Sequence, residues 1–309
     1  MKKPIVVITG LNSLLGNYLA ISLRSQYTLF GLIHKTPLDS RIPLATDHVT
    51  RVDISQKKSI THILKHIKPQ FVIHLAALSN IDYCQSHKKI AYKINVEGTR
   101  HICEALNGTS TQLIFISSNA VFAGTHPPYH ENDITRPLNV YGQTKLEAEK
   151  VVKSAKLLTT IIRSTTMFGW HPVGSRENDL TYYLAKLRSL SPIFLVNDRF
   201  FNPLSATTAI TAIQRVIEKK HTGVFHIAGH NRISRYTFVN TLISAFALKT
   251  HAPIHAVSNA YFANHAPRPL DATLSIEKMK NILSIHPPTL LDDLQSLKKT
   301  EPPTARYYA

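Results

Sequence analysis

Hydrophobic residues in the first half of the chain fall in short unbroken runs rather than long stripes. Pro4 to Ile8 is apolar throughout before Thr9-Gly10 ends it, the pattern of a strand covered on both faces. Comparable runs predict strands at Tyr27–Ile33, His48–Asp53, Phe71–Leu75, Gln112–Ser117 and Leu158–Arg163. The stretches between them, Leu14–Ser25, Lys57–Ile67, Ala91–Asn107 and Gln143–Ser154, carry helical spacing. This alternation predicts an α/β fold with a parallel, doubly wound sheet. The rhythm changes at Thr166, where Pro, Asn and aromatic residues become frequent. An isolated strand at Gly223–Ala228 and a helix at Arg235–Leu248 are expected there, with an irregular stretch from Thr250 to Ala272. The tail from Thr300 is expected to fray. With no linker or repeat in between, a smaller second lobe should pack at the carboxyl ends of the strands, where such sheets bind ligands.

Composition narrows the function classes. The 309 residues are 43% hydrophobic, enough for a large core, and only two cysteines are present. A disulfide scaffold and a multi-cysteine zinc site are excluded. No apolar run approaches a membrane span, and the run behind Met1-Lys2-Lys3 is too short for a signal peptide, so a soluble cytoplasmic protein with no membrane partner is expected. The 36 Lys+Arg against 19 Asp+Glu give a formal net charge of +17. These basic residues are dispersed in pairs such as Lys57-Lys58 and Lys219-Lys220, without a nucleic-acid motif, so no nucleic-acid partner is expected. His62 and His66 are one helical turn apart but have no third ligand, and no metal site is expected.

Chemistry enters at the first turn. Gly10 and Gly16 hold the first and third positions of a dinucleotide-binding turn, while Ser13 stands at the second. The following helix would present free N–H groups to phosphates, and the Ser13 hydroxyl could donate to one. The second strand ends at His34-Lys35 without an acid to bond a ribose 2′-OH. Lys35, with His34 or Arg41, would instead suit a 2′-phosphate; a solvated lysine is the alternative. Asp53 would accept from an adenine amino group or cap the next helix. Tyr141 and Lys145 lie one helical turn apart, so a phenol and an ammonium reach the same ligand. Lowering a phenol pKa from about 10 to about 7 requires about 4 kcal/mol, which a cation at about 4 Å supplies at an effective dielectric near 20. Ser118, at a strand end, is a candidate hydroxyl donor or simply a turn residue.

Several segments in family order resemble the extended short-chain dehydrogenase/reductase superfamily, specifically its dTDP-4-dehydrorhamnose reductase-like branch. They are Thr9-Gly10 to Gly16, Asp53-Ile54, Pro69 to Ala77, Ser117 to Gly124, Pro137 to Glu147, Ile162-Arg163, Gly223 to Gly229 and Arg268-Pro269. The resemblance implies a Rossmann NAD(P)-binding domain over 1–165 and a nucleotide-sugar lobe over 166–309, possibly interleaved with it. It assigns Tyr141 as acid, Lys145 as modulator of its pKa and as ribose ligand, and Ser118 as hydroxyl donor. Cofactor contacts are expected from Gly10, Asn12, Ser13, Leu14, Leu15, His34, Lys35, Asp53, Ile54, Leu75, Ala76, Ala77, Tyr141 and Lys145, with NADP(H) favoured over NAD(H). Substrate contacts are expected from Asn119, Asn178 and Arg268.

Ser13 departs from the family pattern, as does Asn119, where the reductases usually carry an aspartate. The Asn119 segment, with Pro127-Pro128-Tyr129 and Glu131 to Asp133, also resembles the regulatory β subunit of methionine adenosyltransferase. Arg268 would fork on a diphosphate or form an inter-lobe salt bridge. Arg163 reads as structural, and Asn178, Arg199 and Arg235 as candidate pocket linings. Phe168 and Trp170 read as packing between the lobes, and Cys84 and Cys103 as inert thiols. The expected function is reduction of a nucleoside-diphosphate 4-keto-6-deoxy sugar. A nucleotide-sugar epimerase or a silent regulatory subunit is the alternative, and homodimerisation is left open.

Overall fold

The computed structural model describes residues 3–35, 48–171, 177–189, 191–262 and 265–302. Arg41 and the chain beyond Pro302 lie outside them. The first half folds as β1 (Ile5–Thr9), α1 (Leu14–Leu23), β2 (Thr28–Ile33), β3 (His48–Arg51), α2 (Lys57–Ile67), β4 (Phe71–His74), α3 (Ile81–Ser86), α4 (Lys88–Tyr92), α5 (Gly98–Leu106), β5 (Gln112–Ser118), α6 (Val140–Ser154) and β6 (Leu158–Ser164). The second half adds β7 (Met167–Phe168), α7 (Asp179–Arg188), β8 (Ile193–Val196), β9 (Phe200–Phe201), β10 (Leu204–Ser205), α8 (Ala206–Lys219), β11 (Gly223–Ile227), β12 (Ile233–Ser234), α9 (Arg235–Phe246), β13 (Ile254–Val257), α10 (Glu277–Leu283) and α11 (Leu290–Lys299).

Seven strands form one parallel sheet in the order β11-β6-β5-β4-β1-β2-β3. Val6, Val7 and Ile8 are fully buried because the sheet is covered on both faces. Side chains of α1, α8 and α10 pack on one face, those of α2, α5 and α6 on the other. The strand order reverses between β1 and β4, and the crevice at their carboxyl ends is where such sheets take ligands.

Three expectations are corrected. The strand at Gly223–Ile227 is not isolated; it extends the sheet edge beside β6, where Phe225 and Ile227 are buried. With α8 and α10 it returns the chain to the first body, so the segment after 165 is interleaved with the sheet. The 254–257 segment, expected to be irregular, pairs as β13 with β8. The single helix expected over Ala91–Asn107 is broken by a π-turn at Lys93–Glu97. That turn aims the buried Asn95 amide at the Leu78 backbone and at Thr144 Oγ1.

A separate core gathers Phe168, Trp170, α7, α9, α11 and β8 into the second lobe. Phe168 and Trp170 therefore pack inside this lobe rather than between lobes, with the Trp170 indole N–H donating to the Leu297 carbonyl at 2.9 Å. The described part of the tail is anchored, since Glu301 pairs with Arg188.

Arg163 lies under the sheet end with both charges of its pair buried. Its Nε and Nη2 donate to the Glu149 carboxylate at 2.9 and 2.8 Å, and the Ser117 hydroxyl donates to the same group at 2.6 Å. Arg163→Met strands the Glu149 carboxylate in the interior, and urea unfolding should register a loss of about 3–5 kcal/mol. Pairing it with Glu149→Leu should restore most of that loss. A double variant as unstable as the single one would show that packing, not charge, dominates at this site.

Candidate active site

A cavity of about 950 Å³ opens at the carboxyl ends of the strands. One end is built by the turn between β1 and α1. Gly10 has φ +71°, and a Cβ there would stand 2.9 Å from the Ala76 backbone nitrogen. A Cβ on Gly16 would lie 2.5 Å from the Leu11 carbonyl oxygen. Both positions need glycine, the first for its backbone region and the second for close approach. Ser13 replaces the middle glycine by capping α1, its hydroxyl accepting from Gly16 N at 3.1 Å. Its own proton is left to donate.

Behind this turn the strand ends are tied together. Thr9 Oγ1 accepts from Ala76 N at 3.1 Å and bonds His74 Nδ1 at 2.7 Å, while His74 Nε2 meets Thr99 Oγ1 at 3.1 Å. The fully enclosed His74 is held down to about 3, first by burial and then by the Lys145 charge. Asp53 caps the start of the next segment through Ser55 N at 2.9 Å and also lines the cavity. Burial pushes its carboxyl up, but the Ser55 bonds and the nearby His34 and Lys93 outweigh this and leave it below its ordinary range.

At the other end, Asn139 caps α6 by accepting from Gly142 N at 2.9 Å and donates to the Pro267 carbonyl of the second lobe at 2.8 Å. Gly142 is required because a Cβ would meet the Ala120 carbonyl oxygen at 2.2 Å. Helix α6 thus starts three residues earlier than expected, which puts Tyr141 in its first turn and Lys145 one turn further. Both line the cavity. Lys145 is buried with its ammonium 4.1 Å from the Phe115 ring centroid. Burial brings its pKa down to about 7, and the Glu149 carboxylate, one turn on, pulls it back upward. Ser118 Oγ accepts from Ala120 N at 3.2 Å, so it caps a turn while bordering the same space.

Apart from Arg41, outside the described residues, and Arg199, which lines a neighbouring cavity, the sequence-predicted cofactor, catalytic and substrate residues line this one cavity. Two of the substrate candidates are already engaged. The Asn178 amide caps α7 and donates to the Gly169 carbonyl, and Asn119 Nδ2 donates to the Ala272 carbonyl at 3.0 Å. Arg268 takes the inter-lobe alternative, forking on Asp82 at 3.1 and 2.6 Å, and this bonding holds the Asp82 carboxyl low.

A second cavity of about 800 Å³ adjoins the first, and Glu177, Asn178, Asp179, Arg235 and Arg268 line both. Arg199 and Arg235 are brought below the ordinary guanidinium range, Arg235 to about 10, by burial and then by the charge of Arg268. Arg235 pairs with Asp179. Tyr182, Tyr183, Phe194 and Phe262 add an aromatic wall. Sequence reading missed Asp82, Asp179 and this wall, because each acquires its neighbours only through contacts distant in sequence.

Cys84 and Cys103 are buried and form no disulfide, and burial pushes the Cys103 thiol up to about 12. His62 and His66 stack on α2, and among the described residues no cluster of His, Cys, Asp and Glu could hold a metal ion. No helix among the described residues is long and apolar enough to cross a membrane.

Comparison with known proteins places these features in context. A family model described as the RmlD substrate binding domain matches residues 3–301. The chain is 26% identical over 285 residues to methionine adenosyltransferase 2 subunit beta of Bos taurus, covering 90% of this chain and 82% of that one. It is 26% identical over 246 residues to the dTDP-4-dehydrorhamnose reductase of Sinorhizobium fredii, covering 76% and 82%. The crystal structure of dTDP-4-dehydrorhamnose reductase from Bacillus anthracis in complex with NADP superposes with a TM-score of 0.84 at 23% identity, covering 97% of this chain and all of that one.

Proposed function

The chain belongs to the RmlD substrate binding domain family, in the reductase-like branch of the extended short-chain dehydrogenase/reductases, and on that premise we propose that it is a sugar-nucleotide oxidoreductase that uses NADP(H) to reduce a nucleoside-diphosphate 4-keto-6-deoxy sugar. The observation that carries the reading is a single cavity with a glycine-built phosphate turn at one end and Tyr141 with Lys145 at the other. The residues present fit a dinucleotide: the Gly10 turn leaves no room for a Cβ, and α1 presents its amino terminus with no acidic residue in its first turn.

Gly10, Asn12, Ser13, Leu14 and Leu15 would hold the pyrophosphate, Asp53 and Ile54 the adenosine, and Leu75, Ala76 and Ala77 the adjoining backbone. His34 and Lys35 would meet a 2′-phosphate. When bound, the nicotinamide supplies the hydride that reaches the keto carbon. Tyr141 donates the proton to the oxygen left negative, Ser118 donates a hydrogen bond to that oxygen, and Lys145 favours loss of the phenolic proton and holds a ribose hydroxyl. Asn119, Asn178 and Arg268 border the substrate.

The test is NADPH oxidation by the purified chain against dTDP-, GDP-, UDP- and CDP-linked 4-keto sugars, with turnover on at least one expected. Cofactor retained through purification with no net NADPH consumption would favour an epimerase. The 2′-phosphate assignment has its own check. Lys35→Gln should raise Kd for NADPH about tenfold, the size of one charge-assisted hydrogen bond, and leave Kd for NADH unchanged. Equal losses for both cofactors would reject it.

The wider span of likeness to the methionine adenosyltransferase subunit, with Asn119 in place of an acid, favours a second reading as a cofactor-binding subunit of a larger assembly. NADPH binding without turnover on any sugar in the panel, together with stable association with a second enzyme, would decide for it.

A further inference from the structure

The cofactor cavity contains one buried nitrogen that no side chain or backbone group among the described residues satisfies. His171 lines the cavity at 5% exposure, and its Nδ1 has no hydrogen-bond partner. Two other cavity residues with buried unsatisfied atoms, Asp179 and Arg235, face each other as an ion pair, so their case differs. Native interiors leave few such nitrogens without a partner, which makes a ligand the natural one here.

The surroundings indicate which ligand. The strand-end segment that carries His171 is pinned to α1. Trp170 N donates to Tyr18 Oη at 2.9 Å, and a Cβ on Gly169 would come within 3.1 Å of that oxygen. Tyr18 stands one turn beyond Leu14, the first residue of α1, and Leu14 and Leu15 line the same cavity. The Trp170 indole is drawn into the second-lobe core through the Leu297 carbonyl, and the next side chain borders the cavity. His171 thus lines the same cavity as the α1 amino terminus that attracts phosphate, and its neighbour Trp170 ties its segment to that helix.

We infer that His171 binds the cofactor by donating a ring N–H to the pyrophosphate of the dinucleotide at the amino terminus of α1. The inference rests on the dinucleotide reading above and adds a contact from outside the glycine turn. Burial holds the imidazole near 4, so at neutral pH it is a neutral donor and adds no charge to the site.

The test is a fluorescence titration of NADPH into the wild-type chain, His171→Phe and His171→Asn, with dTDP as a second probe. His171→Phe should weaken NADPH binding about tenfold. His171→Asn, which keeps an N–H donor, should stay within about threefold of wild type, and dTDP affinity should not change. In phosphorus NMR of bound NADP⁺, the pyrophosphate signals should shift between wild type and His171→Phe while the 2′-phosphate signal stays in place. Equal NADPH affinity for wild type and the Phe variant, or a loss confined to dTDP, would overturn the assignment. If the wild type binds neither NADPH nor NADH, the dinucleotide reading fails first and takes this contact with it.

Discussion

Tyr141→Phe is expected to lower kcat for keto-sugar reduction by about 10²–10⁴-fold, the usual range for losing a positioned general acid. Kd for NADPH should stay within about twofold, because a phenyl ring keeps the shape of the cavity wall. The argument is electrostatic. As the keto carbon is reduced its oxygen gains a full charge, and water is a poor donor inside a closed cavity. A phenol is matched to that task only if a cation lowers its pKa, and Lys145, one turn along α6, is placed to supply it. Burial works against the arrangement by making the ammonium easier to deprotonate, and Glu149, one turn further on, works against burial. Lys145→Met should therefore cost as much as the tyrosine change and also weaken NADPH binding, since the same ammonium is assigned to the ribose. Steady-state rates with stopped-flow binding separate the two effects. A Phe variant with wild-type turnover would show that the proton comes from elsewhere.

What the sequence made legible follows from how local each feature is. The Tyr141–Lys145 pair needs only helical spacing, and the Gly10 turn only a strand ending at a glycine, so both could be read along the chain. Strands β1, β4 and β5 declare themselves as buried apolar runs. Asp82 meeting Arg268 gives no such signal, because 186 positions separate them and the contact exists only once the lobes close. The same holds for β11, whose partner β6 lies beyond α7 and α8 in the chain. Within the helix expected over 91–107, periodicity continues through the π-turn, and only the Asn95 bonds to Leu78 and Thr144 reveal why the backbone loosens there. Ser118 and Asn178 were identified as site residues by position, and the capping bonds they also make depend on backbone geometry that sequence does not display.

The chain should also be unusually sensitive to mild acid, because three histidines are buried in their neutral form. His226 is fully enclosed, with Nδ1 donating to the Tyr129 carbonyl at 3.0 Å and Nε2 facing the Arg163 guanidinium at 3.5 Å. A second proton there would point at a like charge. In His74 both ring nitrogens are held by threonine hydroxyls, and the nearby Lys145 charge opposes a second proton. Burial is the first cause of the low values in all three, about 3 for His74 and His226 and about 4 for His171. Each has its folded value below the unfolded value of about 6.5. The neutral ring is therefore favoured in the fold, and stability is lost as pH falls below 6.5. At pH 5 the loss is about 2 kcal/mol per histidine, about 6 kcal/mol for the three. Asp293 acts in the opposite direction. Burial raises it to about 6, so its protonation returns about 1 kcal/mol over the same interval. The net loss of about 5 kcal/mol is comparable to the whole stability of many domains. Thermal unfolding followed by circular dichroism from pH 7.5 to 5 should show Tm falling by about 10 °C or more, with His226→Gln removing about a third of the slope. A Tm that stays level across that interval would show that these rings take up their protons inside the folded chain.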